Sequence, residues 1–223
     1  MFLDEQIISF LFNLNFTAGL PEQFEVLHPF KNIETQKVCR QFYHKYYHDS
    51  NPRFPIVGIN PGRFGAGVTG IPFTDPIRLN DACGISNNWP RKQELSSVFM
   101  YEMIEAFGGV KSFYSNFYIT AISPLGFVKS GKNINYYDNK ALQESVSPFA
   151  LNCMRTQLSW GIKNEVAFCL GEGKNFQYFS KLNAEYNFFK RIIPLPHPRF
   201  IMQYKLRSKQ VYIDKYLAAF SSK

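Results

Sequence analysis

The chain has 223 residues, which suits one domain or at most two small ones and a core that buries about 70–75% of the unfolded surface without staples. Hydrophobic residues are 45% and charged residues 19%, which excludes wholesale disorder, and no run reaches the roughly 18–20 apolar residues of a membrane span. The net charge of +8 points to a polyanionic partner without identifying it. Met1-Phe2-Leu3-Asp4-Glu5 has no basic n-region, so no signal peptide is expected.

In chain order, apolar spacing through Ile7, Ile8, Leu11 and Leu14 predicts a helix over 4–14, and 33–47 reads as a second helix with an aromatic and basic face. Phe54 to Ile59 is a short apolar run opening into Asn60-Pro61-Gly62, the pattern of a buried strand. A helix over 94–107 and a strand over 117–122 follow. The next helix, 147–162, carries Pro148 in its first turn. A strand at 165–170, a helix at 173–186, a strand at 189–195 stopped by Pro194-Leu195-Pro196, and a basic helix at 205–220 complete the pattern. Residues 60–93 and 126–139 are rich in Gly, Pro, Asn and Asp and read as loops. Apolar residues run through both, so neither is a linker, and a single domain over 1–223 is expected. Strands alternating with helices imply a parallel sheet covered on both faces, with ligands beyond the carboxyl ends of its strands.

The charge is uneven. Residues 181–223 hold nine Lys/Arg against two Asp/Glu, while the rest of the chain nearly balances. By itself this reads as a solvated basic helix at the chain end rather than as a nucleic-acid face. Cys39, Cys83, Cys153 and Cys169 form no C-x-x-C pair and are expected as buried free thiols rather than disulfides or cluster ligands. His44 and His48 stand i, i+4 in a cationic, aromatic helix end and read as surface residues, so no metal site is expected. The chain has no H-E-x-x-H and no G-x-S-x-G, and Asp75 and Asp81 read as turn or cap residues.

Three segments can carry chemistry. Five of the fourteen glycines lie between Gly58 and Gly70. Such a loop either presents backbone N–H groups to a ligand or is a structural turn; it lacks the Lys-Ser/Thr of a phosphate loop. His197 sits between Pro196 and Pro198, held stiffly in a loop, and Arg199 and Phe200 follow it. A cation beside an aromatic suits a nucleic acid. The third segment, Thr120 to Phe127, leads into the basic, flexible run Lys129-Ser130-Gly131-Lys132-Asn133. Gly171-Glu172-Gly173-Lys174-Asn175 imitates a truncated phosphate loop, but its spacing fails and it reads as a strand-to-helix turn.

The first segment resembles the motif of the uracil-DNA glycosylase superfamily, G-M-N-P-G-P-F-G-M-x-x-T-G-V-P-F in its single-strand-selective monofunctional branch. Gly58, Asn60, Pro61, Gly62, Phe64, Gly65, Thr69, Gly70, Pro72 and Phe73 fall in register with it. His197-Pro198-Arg199 is similar to the branch's H-P-S-P-R with the Ser-Pro pair missing. The likeness spans about 54–205 and suits the second single-strand-selective type found in bacteria. It implies an α/β fold, a three-layer αβα sandwich around a central, mainly parallel four-stranded sheet. It also implies a monofunctional glycosylase that removes uracil or related deaminated or oxidised bases from single- or double-stranded DNA. Such an enzyme initiates base excision repair as a cytoplasmic, nucleoid-associated monomer with no metal, cofactor or membrane.

Carried over residue by residue, Asn60 positions the attacking water and His197 donates to uracil O2. Phe73 stacks on the flipped base, and backbone near Gly62, Phe64 and Ala66 contacts its edge or a phosphate. Arg199, Phe200 and Lys205 lie where the family inserts its wedge, Lys132 adds a cation, and the basic chain end is expected on the same DNA-facing side. The chain departs from the branch at Ala121, where relatives place an Asn that reads the uracil amide; Ser123, Asn87 or Asn88 are the candidates to replace it. That loss keeps a second reading open, a catalytically weak or silent DNA-binding protein on the same fold.

Overall fold

The computed structural model describes all 223 residues. It begins with α1 (Leu3–Phe12), β1 (Phe24–Leu27) and α2 (Ile33–Tyr47). β2 (Phe54–Gly58) runs into the glycine-rich segment, which holds two short helices, α3 (Ala66–Thr69) and α4 (Pro76–Asp81). α5 (Leu95–Ala106) and α6 (Gly109–Asn116) lead to β3 (Phe117–Ala121). β4 (Gly126–Lys129) and β5 (Lys132–Ile134) precede α7 (Lys140–Leu158), β6 (Val166–Leu170) and α8 (Lys174–Tyr186). β7 (Arg191–Leu195), α9 (Pro198–Tyr204) and α10 (Lys209–Ser221) complete the chain.

Four strands pair in parallel in the order β3-β2-β6-β7. Their side chains alternate between two faces, and this alternation divides the core. Ile56, Phe168 and Leu170 pack with α1, α2, α5, α6, α9 and α10, while Val57, Ala167 and Cys169 pack with α7 and α8. The result is the three-layer α/β fold. Aromatic packing dominates the first face: the Phe220 ring lies 4.5 Å from that of Phe117 and 4.9 Å from that of Phe168. Truncating a ring buried this way costs about 3–5 kcal/mol. All four cysteines are buried and free.

Local chemistry moves several element boundaries. Residues 126–134 are not a loop, although 135–139 are. Ser130 (φ 48°) and Gly131 (φ 71°) both occupy the left-handed region, as a type I′ turn requires, and they join β4 to β5 in a hairpin that β1 extends on its β4 edge. The helix predicted from 147 starts at Lys140, because the Asn139 side chain accepts the Leu142 N–H as its cap. Pro148 therefore sits in the helix interior, where it costs about 3 kcal/mol; burial of Leu142, Val146, Ala150 and Met154 offsets this. β7 ends at Leu195 as expected, with Pro194 inside it opposite Cys169; β7 is an edge strand, where a missing N–H is tolerated. The His197 loop is the start of a helix, with His197 as N-cap and Pro198 at its first position.

Candidate active site

The chain passes from β2 to β3 on one side and later to β6 on the other, which opens a crevice beyond the carboxyl ends of these strands. A cavity of about 790 Å³ occupies that end of the sheet. Segments following all four parallel strands line it: Asn60 after β2, Ala121 at the end of β3, Gly171 after β6 and His197 after β7.

Asn60 is held by the end of β5 and the turn that follows it. Its Oδ1 accepts the Tyr136 N–H at 3.0 Å, and its Nδ2 donates to the Ile134 carbonyl at 3.2 Å. A backbone N–H on one side and a C=O on the other leave one choice of amide orientation. The brace continues inward. The Tyr136 hydroxyl donates to Asn175 Oδ1 at 2.8 Å, and Asn175 Nδ2 donates to the Leu170 carbonyl at 3.0 Å, at the end of β6. One lone pair of Asn60 Oδ1 remains for a further donor such as water.

His197 is partly buried at the start of α9, and its Nδ1 accepts the Arg199 N–H at 3.1 Å. Because that partner can only donate, Nδ1 carries no proton and the ring proton belongs on Nε2. Burial, with a smaller contribution from the Arg199 charge, lowers the imidazole from its usual 6.5 to about 4. At neutral pH the site therefore has a neutral Nε2–H donor on a ring that its own helix start orients.

The Phe73 ring lies 5.8 Å from the His197 ring, inclined at 50°. Its backbone adopts φ 53°, an outlier for a bulky residue and a sign of strain held by the surrounding turn. Gly58 makes room for it: a Cβ there would stand 3.2 Å from the ring. The short helices around it are anchored by Asp75, which is fully buried. Its carboxylate accepts the N–H groups of Arg78 (2.8 Å) and Glu94 (2.9 Å), the cap role the sequence suggested.

The cavity brings together Asn60, Gly62, Phe64, Ala66, Phe73 and His197, with Arg199 and Phe200 exposed on its wall. Phe64 is also exposed, with Lys92 Nζ 3.7 Å and the Arg63 guanidinium 5.0 Å from its ring centre. Two expected base contacts are corrected. Ser123 does not line the cavity; its buried hydroxyl turns back to donate to the Leu125 carbonyl at 2.7 Å, within its own turn. Asn88 is exposed and outside the lining, and Asn87 is committed to the Pro76 carbonyl. Lys132 and Lys205 are exposed, on the β5 hairpin and just after α9, and neither lines the cavity.

The basic chain end is not one DNA-facing patch. Lys223 lies over the rings of Phe54 and Phe117, and Arg191 opens β7, all at the amino ends of the strands, opposite the cavity. Lys209 and Lys215 pair with Glu102 and Glu172. Sequence reading missed Asn133, Asn135, Asp138 and Lys174, all of which line the cavity. Asn133 Oδ1 accepts the Arg63 N–H at 3.1 Å, tying the hairpin to the glycine-rich segment. The Ser130-Gly131 dipeptide, between Lys129 and Lys132, was the available signal for that hairpin.

Comparison with known proteins agrees with this fold. The model of the uracil DNA glycosylase superfamily matches residues 44–221. No curated protein shows significant sequence similarity. Among solved structures, the chain is similar to wild-type SMUG2 of Pedobacter heparinus, with 51% identity and a TM-score of 0.98 over 100% of this chain and 98% of that one. The family model covers most of the chain, and a half-identical relative shares its fold over the whole length: this chain belongs to the uracil-DNA glycosylase superfamily.

Proposed function

We propose that the protein is a monofunctional DNA glycosylase that hydrolyses the N-glycosidic bond of uracil, and of related deaminated or oxidised bases, in DNA. The observation that carries this reading is the neutral, oriented Nε2–H of His197 beside Phe73 in a cavity that also presents Asn60. A flipped nucleotide enters the cavity with its base against Phe73. The C1′–N1 bond breaks with oxocarbenium character on the sugar, and its electron pair leaves with uracil as an anion. His197 donates from Nε2 to the oxygen where that charge gathers; one such preorganised donor is worth about 3–4 kcal/mol. Water then adds to C1′, oriented by the free lone pair of Asn60 Oδ1. A neutral amide is a poor base, which is sufficient where the electrophile is a cation and the water proton passes to solvent. Arg199 and Phe200 supply a cation and an apolar wedge at the cavity wall.

A panel of oligonucleotides carrying U, T, hypoxanthine, xanthine or 5-hydroxymethyluracil, single- and double-stranded, tests this directly. Release of uracil in a metal-free buffer, without strand cleavage by the protein, is the expected result. Wild-type protein that releases no base from any substrate would sink the proposal. It would favour instead the silent DNA-binding reading, which has one structural observation behind it: neither Ala121 nor Ser123 offers a side-chain polar atom to the cavity.

A further inference from the structure

The pair His44 and His48, one helical turn apart, is not an isolated surface feature. Asp4 of α1 reaches between the two rings: its Oδ2 lies 3.2 Å from His44 Nδ1 and 3.1 Å from His48 Nδ1. The three atoms lie within 4.8 Å of one another, and the two ring centres are 4.2 Å apart. A tetrahedral ion with bonds of about 2.0–2.1 Å sets its ligand atoms about 3.3 Å apart, close to the two short edges of this triangle. The Asp4 side chain is only 4% exposed, and its Oδ1 is buried without a hydrogen-bond partner. A buried carboxylate with one oxygen unused, and the other held only by two solvent-open ring nitrogens, is under-compensated. The rings themselves are open to solvent, at 66% and 42% exposure, which leaves an approach path and room for water to complete the coordination.

We infer that Asp4, His44 and His48 form a binding site for a divalent transition-metal ion of the zinc class, separate from the active site. Two imidazole nitrogens and one carboxylate oxygen are a borderline donor set that suits Zn²⁺, Ni²⁺ or Cu²⁺ and not the all-oxygen preference of Mg²⁺ or Ca²⁺. Each ring would turn its Nδ1 lone pair to the ion and keep its proton on Nε2. The ion would clamp the start of α1 to the end of α2, where the chain is already joined by the Leu3 N–H donating to the Asp49 carbonyl at 2.7 Å and by the Phe2 ring against that of His48 at 4.3 Å.

The test is calorimetric titration of tag-free, chelator-treated protein with ZnCl₂, with MgCl₂ as the comparison, followed by thermal melts. The expected result is one Zn²⁺ per chain and no Mg²⁺ binding. At about 100 times its Kd, Zn²⁺ should raise Tm by about 5–10 °C. His44→Gln and His48→Gln, at exposed positions that tolerate substitution, should each weaken Zn²⁺ binding at least about tenfold and remove the Tm shift, without changing base release in metal-free buffer. Asp4→Asn should weaken binding similarly. Absence of Zn²⁺ binding to the wild type overturns the inference. So does binding that both His→Gln variants retain, which would put the ion elsewhere.

Discussion

Replacing His197 by Ala removes a neutral Nε2–H donor from the cavity wall, and the structure sets the pH signature of the loss. Loss of a single preorganised donor to a developing anion costs about 3–4 kcal/mol, or roughly 10²–10³ in rate. With its pKa lowered to about 4 by burial, the ring is neutral at pH 7.5. Imidazolium therefore contributes nothing to the wild-type rate. Single-turnover release of uracil, at enzyme concentrations that saturate the oligonucleotide, should be flat from pH 8 to pH 5 and change only as pH approaches 4. There a proton on Nδ1 would face the Arg199 N–H and break the helix start. DNA affinity, read by fluorescence anisotropy, should change little in His197→Ala. A wild-type rate that falls steadily as pH rises through 5–7 would show the charged ring acting as an acid and refute this reasoning, as would a variant within tenfold of wild type.

The same lowered pKa has a stability consequence. Between about 4 and 6.5 the unfolded chain binds a proton at His197 that the folded chain does not, so stability rises with pH across that window and is lost as pH falls through it; His197→Ala should flatten this part of a Tm-against-pH curve. Asn60→Asp keeps an acceptor for the Tyr136 N–H but turns an oxygen toward the Ile134 carbonyl, and urea unfolding should register a loss of about 1–3 kcal/mol. Gly58→Ala places a Cβ 3.2 Å from the Phe73 ring, and an overpacking cost of about 1–3 kcal/mol should appear partly as slower base release from a still folded protein. Ser123→Ala loses one internal hydrogen bond, about 1 kcal/mol, and should leave single-turnover base release within about twofold; a hundredfold drop would restore Ser123 to the base pocket. Phe200→Ala should slow release from duplex more than from single strands, because only the duplex must be unstacked.

Much of the frame was legible along the chain. The apolar runs at β2, β3, β6 and β7 are short, bounded and separated by helical periods, and that pattern permits little besides a parallel sheet with ligands at its carboxyl end. Asn60, Phe73 and His197 were singled out as well, through the resemblance of the segments that carry them to the family motifs. What lies opposite these residues was not, since periodicity carries no information about distant neighbours. Tyr136, 76 positions from Asn60, supplies the N–H that orients its amide, and Asn175 braces Tyr136 in turn. The lowered pKa of His197 arises from burial in a wall that only packing creates, and from a backbone N–H that exists there only because α9 begins at Pro198. Ser123 shows the converse: its position at a strand end suggested a ligand contact, but a two-residue turn took its hydroxyl first. The basic chain end behaves likewise. Its charge is a property of composition, but the direction each cation faces depends on which end of a strand or helix carries it, and the sheet sends Arg191 and Lys223 away from the cavity while α9 brings Arg199 to it.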